Sequence, residues 1–344
     1  MTASMFVKKS TADDYVFAPK LQAGDNVRVV AASRSLSIIS EENQSIARRR
    51  FEELGLTVSY AKFASKIDDR NSLPAEQRVA DLEAAFADPA VKALFTVIGG
   101  YNSINMLDKI NFDIIASNPK IICGYSDVTV LLNAIHARTG LVTYYGPHFS
   151  TLGMLKGLEY TLEHIRSVLM QDEPVKITPS PEWSDDTWFL NQEQREFLPN
   201  PGPVVLQEGE TEGILVGGNI NAFRLLNGTA FAPTLKDKLL FLENDGLDKE
   251  TTYQEFDRRL DSILLQPHGH TVKGLIIGRF KRISQMDLAK LNTIISSKAA
   301  LRGKPVVYGY DFGHTNPMIT VPIGGWASLS ALANQPPSWV LRNH

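Results

Sequence analysis

The sequence predicts an α/β protein whose parallel sheet carries helices on both faces. Two observations lead to this fold class. Short apolar strands alternate with helical segments along most of the chain, and this alternation is typical of βαβ units. The chain also has 344 residues, which is long for one hydrophobic core and comfortable for two domains.

The N-terminal elements follow one another at regular spacing. The first strand is the β-branched run DNVRVVAAS, and the helix after it has Ser40 as its N-cap and Gly55 just past its end. A second strand (LTVSYA) precedes a helix that opens with Ser72 and Pro74. The later strands are VKALFTVIGG, the run Lys120–Cys123 and GLVTYYGP, with the helical stretch SINMLDKI between the first two.

The periodicity is lost between about residues 170 and 213, where TPSPEWSDDTWFLNQEQREFLPNPGP reads as a loop or linker. Strands then resume with KLLFLENDG, VKGLIIGRF and KPVVYGYDFGH, and two amphipathic helices lie between them. We therefore predict a loosely ordered leader at 1–20, an α/β domain at 21–170, a tryptophan-containing loop at 171–205 and a second domain at 206–344.

Composition excludes several classes of function. The formal net charge is −3 with acids and bases interspersed, so the chain lacks the basic stripe of a nucleic-acid-binding surface. Its one cysteine, Cys123, excludes an intrachain disulfide and is expected in the core. No secretory signal or membrane-spanning run is visible. These features predict a cytoplasmic protein that uses no membrane.

The segment CGYSD has the pattern of a nucleophile elbow, with Ser126 at the corner between a buried strand and a helix. Such a corner exposes the serine Oγ and brings it close to backbone N–H groups and a helix N-terminus. Val128 stands where the usual elbow has a second glycine. The alternative is that Ser126 and Asp127 only cap the helix.

A serine nucleophile needs a base and an orienting acid. His314 should emerge at the carboxyl end of a strand, where open α/β sheets bind ligands, and His148 could face the same edge. The other histidines fit less well. His136 lies ten residues from Ser126, about 15 Å along a helix, His164 is expected to be solvated, His268 and His270 suit a turn or weakly a metal pair, and His344 is the last residue.

Acidic and glycine residues also stand at strand ends. Glu243 ends the strand KLLFLE, and Asp245 and Asp127 are rival acids. Gly99 and Gly100 end another strand, where they would let a backbone N–H approach a ligand or would simply form a tight turn. The chain has neither a dinucleotide fingerprint nor a P-loop, and no cofactor or metal is expected.

Together, IGGYNS, NPKIICGYSDVTVLLNAIHARTGLVTYYGP, GILVGGNINAFRLLNGT, LFLENDG and GHTNPMITVPIGG resemble the LD-carboxypeptidase family of serine peptidases. The likeness covers nearly the whole chain after about residue 20. It is nearest to the microcin C immunity (MccF-like) branch, because the long segment carries Trp183 and Trp188. GYSD is the family's own form of the elbow, so Val128 is no departure.

The resemblance implies an N-terminal flavodoxin-like domain, a smaller C-terminal domain with a swivelling β-rich core, and a homodimer. It implies a catalytic triad of Ser126, Glu243 and His314, with an oxyanion hole formed by the N–H groups of Asp127 and Gly100. His314 would act as the base, Glu243 would hold its ring, and Gly99 would approach the substrate.

The implied substrate is a small peptide or a peptidyl nucleotide. MccF-like relatives cut the amide between an aspartyl group and a modified adenylate, whereas LD-carboxypeptidases remove the terminal D-residue of murein tetrapeptides. Trp183 or Trp188 could stack on adenine, with about 1–3 kcal/mol per base, or could only pin the loop. Arg279 could bind a substrate carboxylate, although a structural salt bridge is the simpler expectation.

A different class of function is a non-catalytic protein that binds a peptide or nucleotide in the same cleft. The presence of a serine, a glutamate and a histidine at strand ends argues against it, because a pure binder would not need all three.

Overall fold

A computed structural model describes residues 15–344. Most of the predicted leader, residues 1–14, lies outside the described part of the chain. Within the rest of that leader, Val16 forms a parallel bridge with Leu141, and Lys20 Nζ donates a hydrogen bond to Val168 O at 2.7 Å. The described end of the leader is therefore joined to the first domain.

The first half of the chain alternates strands and helices as predicted. Its elements are β1 (Asn26–Val30), α1 (Glu41–Glu53), β2 (Thr57–Tyr60), α2 (Ala75–Ala87), β3 (Val91–Thr96), α3 (Phe112–Ser117), β4 (Ile121–Gly124), α4 (Thr129–Thr139), β5 (Thr143–Tyr145) and α5 (Glu159–Leu169). Ser40 caps α1 by accepting a hydrogen bond from Asn43 N, and Gly140 ends α4 in the left-handed conformation.

The second half contains a larger share of strand. It comprises β6 (Val175–Ile177), β7 (Glu182–Trp183), β8 (Leu198–Pro199), β9 (Val204–Gln207), β10 (Gly209–Asn219), α6 (Ile220–Phe223), β11 (Lys238–Glu243), α7 (Thr252–Leu264), β12 (Gly274–Gly278), α8 (Leu288–Ser297), β13 (Val306–Tyr310), β14 (Val321–Ile323), β15 (Trp326–Ala331) and β16 (Ser338–Asn343).

The first sheet has the order β14-β5-β4-β3-β1-β2. Strands β1 to β5 are parallel, and their order 2-1-3-4-5 is that of flavodoxin-like folds, which confirms the prediction. Strand β14 adds an antiparallel edge by pairing with β5. A segment from the end of the chain thus completes the sheet built by its beginning.

The second sheet has eight strands in the order β6-β16-β15-β10-β11-β12-β13-β9. Its central strands β10 to β13 are parallel, and the outer strands pair antiparallel. The predicted loop at 171–205 is not wholly irregular, because β6 joins this sheet and β7 pairs with β8 as a short hairpin.

Two groups of buried side chains hold these layers together. One lies around the first sheet, contains the buried Cys123, and extends to the face of the second sheet at Leu239 and Phe241. The other lies on the opposite face of the second sheet, where α7 contributes Phe256 and α8 contributes Leu291. None of the helices within residues 15–344 has the length and apolarity needed to cross a membrane.

Candidate active site

The carboxyl ends of strands from both sheets meet at one site. Ser126 follows β4, and Glu243 is the last residue of β11. His314 lies in the loop after β13 and reaches both of these side chains. The carboxyl ends of parallel strands are where open α/β sheets bind their ligands, so the topology brings together residues that are 188 positions apart in sequence.

Ser126 occupies a strained corner between β4 and α4. Its φ is +60°, which is unusual for a residue with a side chain, and a 3₁₀ turn over Ser126–Val128 runs directly into the helix. This strand–turn–helix geometry is that of a nucleophile elbow, as the sequence predicted. Strain of this kind is characteristic of functional positions.

His314 joins Ser126 to Glu243. Its Nε2 atom lies 3.0 Å from Ser126 Oγ, and its Nδ1 atom lies 2.9 Å from Glu243 Oε2. The imidazole retains limited exposure, whereas the Glu243 side chain is fully buried. Gly313 allows this approach, because a Cβ at that position would lie 2.5 Å from Glu243 Oε2.

Glu243 is held by further donors on its other oxygen. Oε1 accepts hydrogen bonds from Tyr145 Oη at 2.7 Å and from Asn219 Nδ2 at 2.8 Å. Burial alone would raise the pKa of this carboxyl group, but the charge and hydrogen bond of His314, with the other two donors, bring it below its ordinary value. Glu243 is therefore ionised at neutral pH.

The rival acids have other partners. The carboxylate of Asp127 accepts hydrogen bonds from Ser33 Oγ at 2.6 Å and from Ser103 N and Oγ at 2.9 and 2.8 Å. Asp127 therefore ties the loops after β1 and β3 to the elbow. Asp245 accepts a hydrogen bond from Asn221 Nδ2 at 2.8 Å, and it makes no bond to His314 among the described residues.

Two backbone N–H groups beside the serine are unpaired. Neither Gly100 N nor Asp127 N has a hydrogen-bond acceptor within residues 15–344. Gly99 lies against the nucleophile, because a Cβ built there would come within 2.9 Å of Ser126 Oγ. The glycine pair thus leaves space for a ligand atom at the serine, and the two N–H groups suit an oxyanion.

His148 lies behind the nucleophile and is almost fully buried. Its ring packs on Tyr125 with centroids 4.4 Å apart, and Nδ1 lies 2.7 Å from Thr96 Oγ1. Burial first, and then the positive charges of His314 and Arg34, hold its pKa well below the ordinary value. His148 does reach this edge, as the sequence suggested, but as a neutral buried ring.

The remaining histidines lie elsewhere. His164 was predicted to be solvated and this was wrong, because it lies on the inner face of α5 and is only 6% exposed. His268 precedes the 3₁₀ turn at Gly269–Thr271 and His270 lies within it, and no cluster of three or more potential metal ligands occurs within residues 15–344. His136 is buried near the C-terminal end of α4, and His344 binds the backbone at Glu173.

The proposed substrate-binding side chains differ in their environment. Arg279 is 4% exposed and pairs with Asp311 at 3.1 Å, so it is not available to a substrate carboxylate. Its guanidinium lies over the Trp183 ring at 5.0 Å and covers one face of that ring. Trp188 packs against the core around the first sheet and lies edge-on to Phe189.

Sequence reasoning missed three side chains at the site. Tyr145 and Asn219 hold Glu243, and Arg34 binds the backbone of the glycine pair through a bond from Nε to Gly99 O at 2.8 Å. Their common signal was available, since each lies at or just after the carboxyl end of a strand. The sequence did not indicate which strand ends lie next to one another in the fold.

The fold and the Ser–His–Glu arrangement are those of an α/β serine peptidase. Residues 27–146 match the LD-carboxypeptidase N-terminal domain, and residues 212–329 match the LD-carboxypeptidase C-terminal domain. The chain belongs to the LD-carboxypeptidase family of serine peptidases. The homodimer and the cytoplasmic location stay predictions.

Two Bacillus subtilis proteins illustrate the similarity. YocD, provisionally named a carboxypeptidase, is 44% identical over 325 residues, which cover 94% of this chain and 99% of that protein. A second, provisionally named a murein peptide carboxypeptidase, is 31% identical over 91% of this chain and 92% of its own length.

Solved structures give the same relationship. The MccF-like protein from Bacillus anthracis has a TM-score of 0.94 at 44% identity, with 96% of this chain and 100% of that chain covered. The microcin C7 self-immunity protein MccF, in complex with aspartyl sulfamoyl adenosine, has a TM-score of 0.83 at 25% identity, with 96% and 99% coverage. The prediction of an MccF-like fold is confirmed.

Proposed function

We propose that the protein hydrolyses an amide bond with Ser126 as nucleophile, His314 as general base and Glu243 as the acid that orients His314. The observation that carries the proposal is the continuous hydrogen-bond chain. Ser126 Oγ lies 3.0 Å from His314 Nε2, and His314 Nδ1 lies 2.9 Å from Glu243 Oε2. Both distances are within the reach required for proton transfer and for ring orientation.

The proposed reaction has two stages. His314 takes the proton of Ser126 as Oγ attacks the carbonyl carbon, and the oxyanion binds the free N–H groups of Gly100 and Asp127. His314 then gives the proton to the leaving nitrogen, so that the amide bond breaks and an acyl-serine remains. Water, activated by the same ring, releases the acyl group.

Glu243 would stabilise the charged ring in each stage. Its lowered pKa keeps the carboxylate ionised, so it attracts the imidazolium without taking its proton. The buried bonds from Tyr145 and Asn219 fix one oxygen and leave the other for His314.

The proposed substrate is a peptidyl or aminoacyl nucleotide. This rests on the similarity to the MccF-like protein and to MccF, which was solved with aspartyl sulfamoyl adenosine. Trp183 is the better candidate for base stacking, because the adjacent Ser184 pairs with Asn316, two residues beyond His314. Arg279 covers one face of Trp183, and the opposite face would take the adenine.

A second candidate is removal of the terminal D-alanine from a murein tetrapeptide. It is favoured by the 31% identity to the protein named for murein peptides. The same serine, base and oxyanion donors would serve both reactions, because each breaks an amide bond. The two differ in what the cleft binds beyond the scissile nitrogen.

A competition experiment separates the two substrates. The protein would be incubated with a murein tetrapeptide and aspartyl sulfamoyl adenosine together, with Ser126→Ala as the control, and products would be measured by mass spectrometry. We expect preferential loss of the nucleotide conjugate. Preferential release of D-alanine would establish the second candidate instead, and loss of neither would support a non-catalytic binder.

A serine-directed fluorophosphonate tests the chemistry independently. Covalent labelling that requires Ser126 would support an activated nucleophile. Retained turnover of either substrate in Ser126→Ala would contradict the proposed mechanism.

A further inference from the structure

We propose that Arg34 binds the anionic group of the leaving part of the substrate, next to the scissile nitrogen. The inference rests on the proposed amide hydrolysis and adds a residue and a ligand chemistry to it. The ligand group is an oxoanion, either the carboxylate of a terminal amino acid or the sulfamoyl or phosphoryl group of a nucleotide.

Arg34 is held beside the nucleophile by the backbone. It lies in the loop after β1, is partly buried, and donates from Nε to Gly99 O at 2.8 Å. A Cβ built on Gly100 would come within 3.0 Å of Arg34 Cγ, and one built on Gly99 would touch Ser126. The glycine pair is thus enclosed by Ser126 on one side and Arg34 on the other.

The rest of the guanidinium has no protein partner. Within residues 15–344 no carboxylate lies within 4.0 Å of Arg34, and neither Nη1 nor Nη2 makes a hydrogen bond. The carboxylate of Asp127, on the same elbow, is occupied by Ser33 and Ser103. The positive charge beside the glycine pair therefore has no ion-pair partner among the described residues.

Arg279 provides the contrast. The sequence offered it as a possible ligand for a substrate carboxylate but favoured a structural salt bridge, and it is buried against Asp311. A guanidinium whose two terminal nitrogens are free presents two parallel donors, which match the two oxygens of a carboxylate or sulfonyl group. Arg34 has that free fork, and Arg279 does not.

The charge of Arg34 also acts on the residues around the nucleophile. Burial has the largest effect on the pKa of Tyr125 and of His148, raising the first and lowering the second. The positive charge of Arg34 lowers the pKa of both. Arg34 is therefore close enough to the elbow to interact with a group bound there.

The chemistry of both candidate substrates fits this position. In a murein tetrapeptide the terminal carboxylate lies one carbon beyond the scissile nitrogen. In an aminoacyl sulfamoyl adenosine the sulfonyl group is bonded directly to that nitrogen. A cation anchored on the glycine pair would recognise either group, and it would reject substrates whose leaving group is neutral.

The test measures binding in the Ser126→Ala background, where turnover is absent, with and without Arg34→Gln. The ligands are two matched pairs. One is aspartyl sulfamoyl adenosine with its neutral analogue, aspartyl 5′-amino-5′-deoxyadenosine. The other is the murein tetrapeptide with free or amidated terminal D-alanine. We expect Arg34→Gln to weaken at least one anionic ligand about tenfold or more and its neutral partner less than twofold.

Two variants serve as controls. Arg34→Lys keeps the charge but loses the fork, and should recover only part of the affinity. Arg138→Gln removes one positive charge at the far end of α4, where Arg138 lies over Phe112 and Phe231, and should leave both members of each pair unchanged. The pair that responds identifies whether the anion is a carboxylate or a sulfamoyl group.

Equal weakening of charged and neutral ligands would overturn the proposal, because it would mean that Arg34 only supports Gly99. No weakening of either would overturn it as well. Failure of the proposed function is a separate result, seen in the Ser126-containing protein as absence of turnover. An Arg34 that distinguishes the pairs in a protein that cleaves neither substrate would leave the anion site standing.

Discussion

At the edge of the first sheet three groups of hydrogen-bond donors are left free, whereas at the edge of the second sheet the carboxylate of Glu243 is fully hydrogen-bonded. Gly100 N, Asp127 N and the terminal nitrogens of Arg34 have no partner within residues 15–344. Across the cleft, both oxygens of Glu243 accept hydrogen bonds. The first edge is arranged for a ligand, and the second is arranged to hold one imidazole in place.

Loss of the Ser126 hydroxyl should have the largest effect on activity. We expect Ser126→Ala to lower kcat by up to about 10⁶-fold, because no other described hydroxyl lies on His314 Nε2. Thermal unfolding should be nearly unchanged, since only a partly buried hydroxyl is lost. Single-turnover assays and a melting curve check both statements, and a variant within tenfold of the parent would contradict the assignment.

Removing charge from the second edge should have the next largest effect. Glu243→Gln leaves the imidazolium of the reaction without its anionic partner and disturbs the ring orientation, so we expect kcat to fall about 10⁴-fold. Glu250→Gln removes an exposed acid from the 3₁₀ turn at Lys249–Thr251 and is the matched control. Similar losses of kcat in both variants would show that the net negative charge of this region, and not the contact with His314, supports activity.

At the edge of the first sheet, a methyl group added at Gly99 would occupy the space beside the nucleophile. A Cβ at Gly99 would lie 2.8 Å from Ser126 Cβ, so Gly99→Ala must displace the nucleophile, and we expect kcat to fall about 10²-fold. Gly228→Ala is the control, because a Cβ there meets nothing within 4 Å. It should affect stability through its positive φ and leave kcat alone. A fully active Gly99→Ala would mean that this edge is not tightly packed.

Removal of one hydrogen-bond donor to Glu243 should cause a smaller loss of kcat. Tyr145→Phe removes one hydrogen bond to the ionised Glu243, so the pKa of Glu243 should rise. The acid limb of the pH–rate profile should then move to higher pH, with up to about a tenfold loss of kcat. Tyr144→Phe is the matched control, because its buried hydroxyl has no partner. Identical profiles for both variants would rule out this role for Tyr145.

A buried histidine that belongs to neither edge should affect stability alone. Burial lowers the pKa of His164 to about 4, below its unfolded value of about 6.5. Its neutral form therefore stabilises the fold above pH 6.5, and this contribution is lost as the pH falls towards 4. His164→Phe should reduce the slope of unfolding free energy against pH by up to about 1.4 kcal/mol per unit in that range. An unchanged slope would mean that the ring is hydrated.

The sequence was sufficient for the features that depend on local pattern. The elbow at Ser126, the paired glycines and the alternation of strands and helices all follow from residues that are neighbours in the chain. The partners of Glu243 could not be found in this way, because Tyr145 lies 98 positions earlier. For Arg279 the sequence favoured a structural salt bridge over a substrate carboxylate, but it did not indicate that Asp311 is the partner.

The same limit explains the errors in burial. His164 is surrounded by charged neighbours in sequence, yet Thr161, Ile165 and Val168 share its buried face of α5. Composition near a residue does not determine which side of a helix it occupies. Only the resemblance to a family indicated that the strand ends carrying Ser126, Glu243 and His314 meet, because hydrophobic periodicity does not indicate which strand ends are neighbours.

The pairing of β14 with β5 has a consequence for folding. The first sheet is closed at its β5 edge by Val321–Ile323, and the paired residues Val321 and Tyr145 are 176 positions apart (321 − 145). Before this long-range pairing forms, β5 presents an unpaired strand edge, a surface on which partly folded chains can associate wrongly. A chain that lacked β14 would therefore expose the β5 edge to association with other chains.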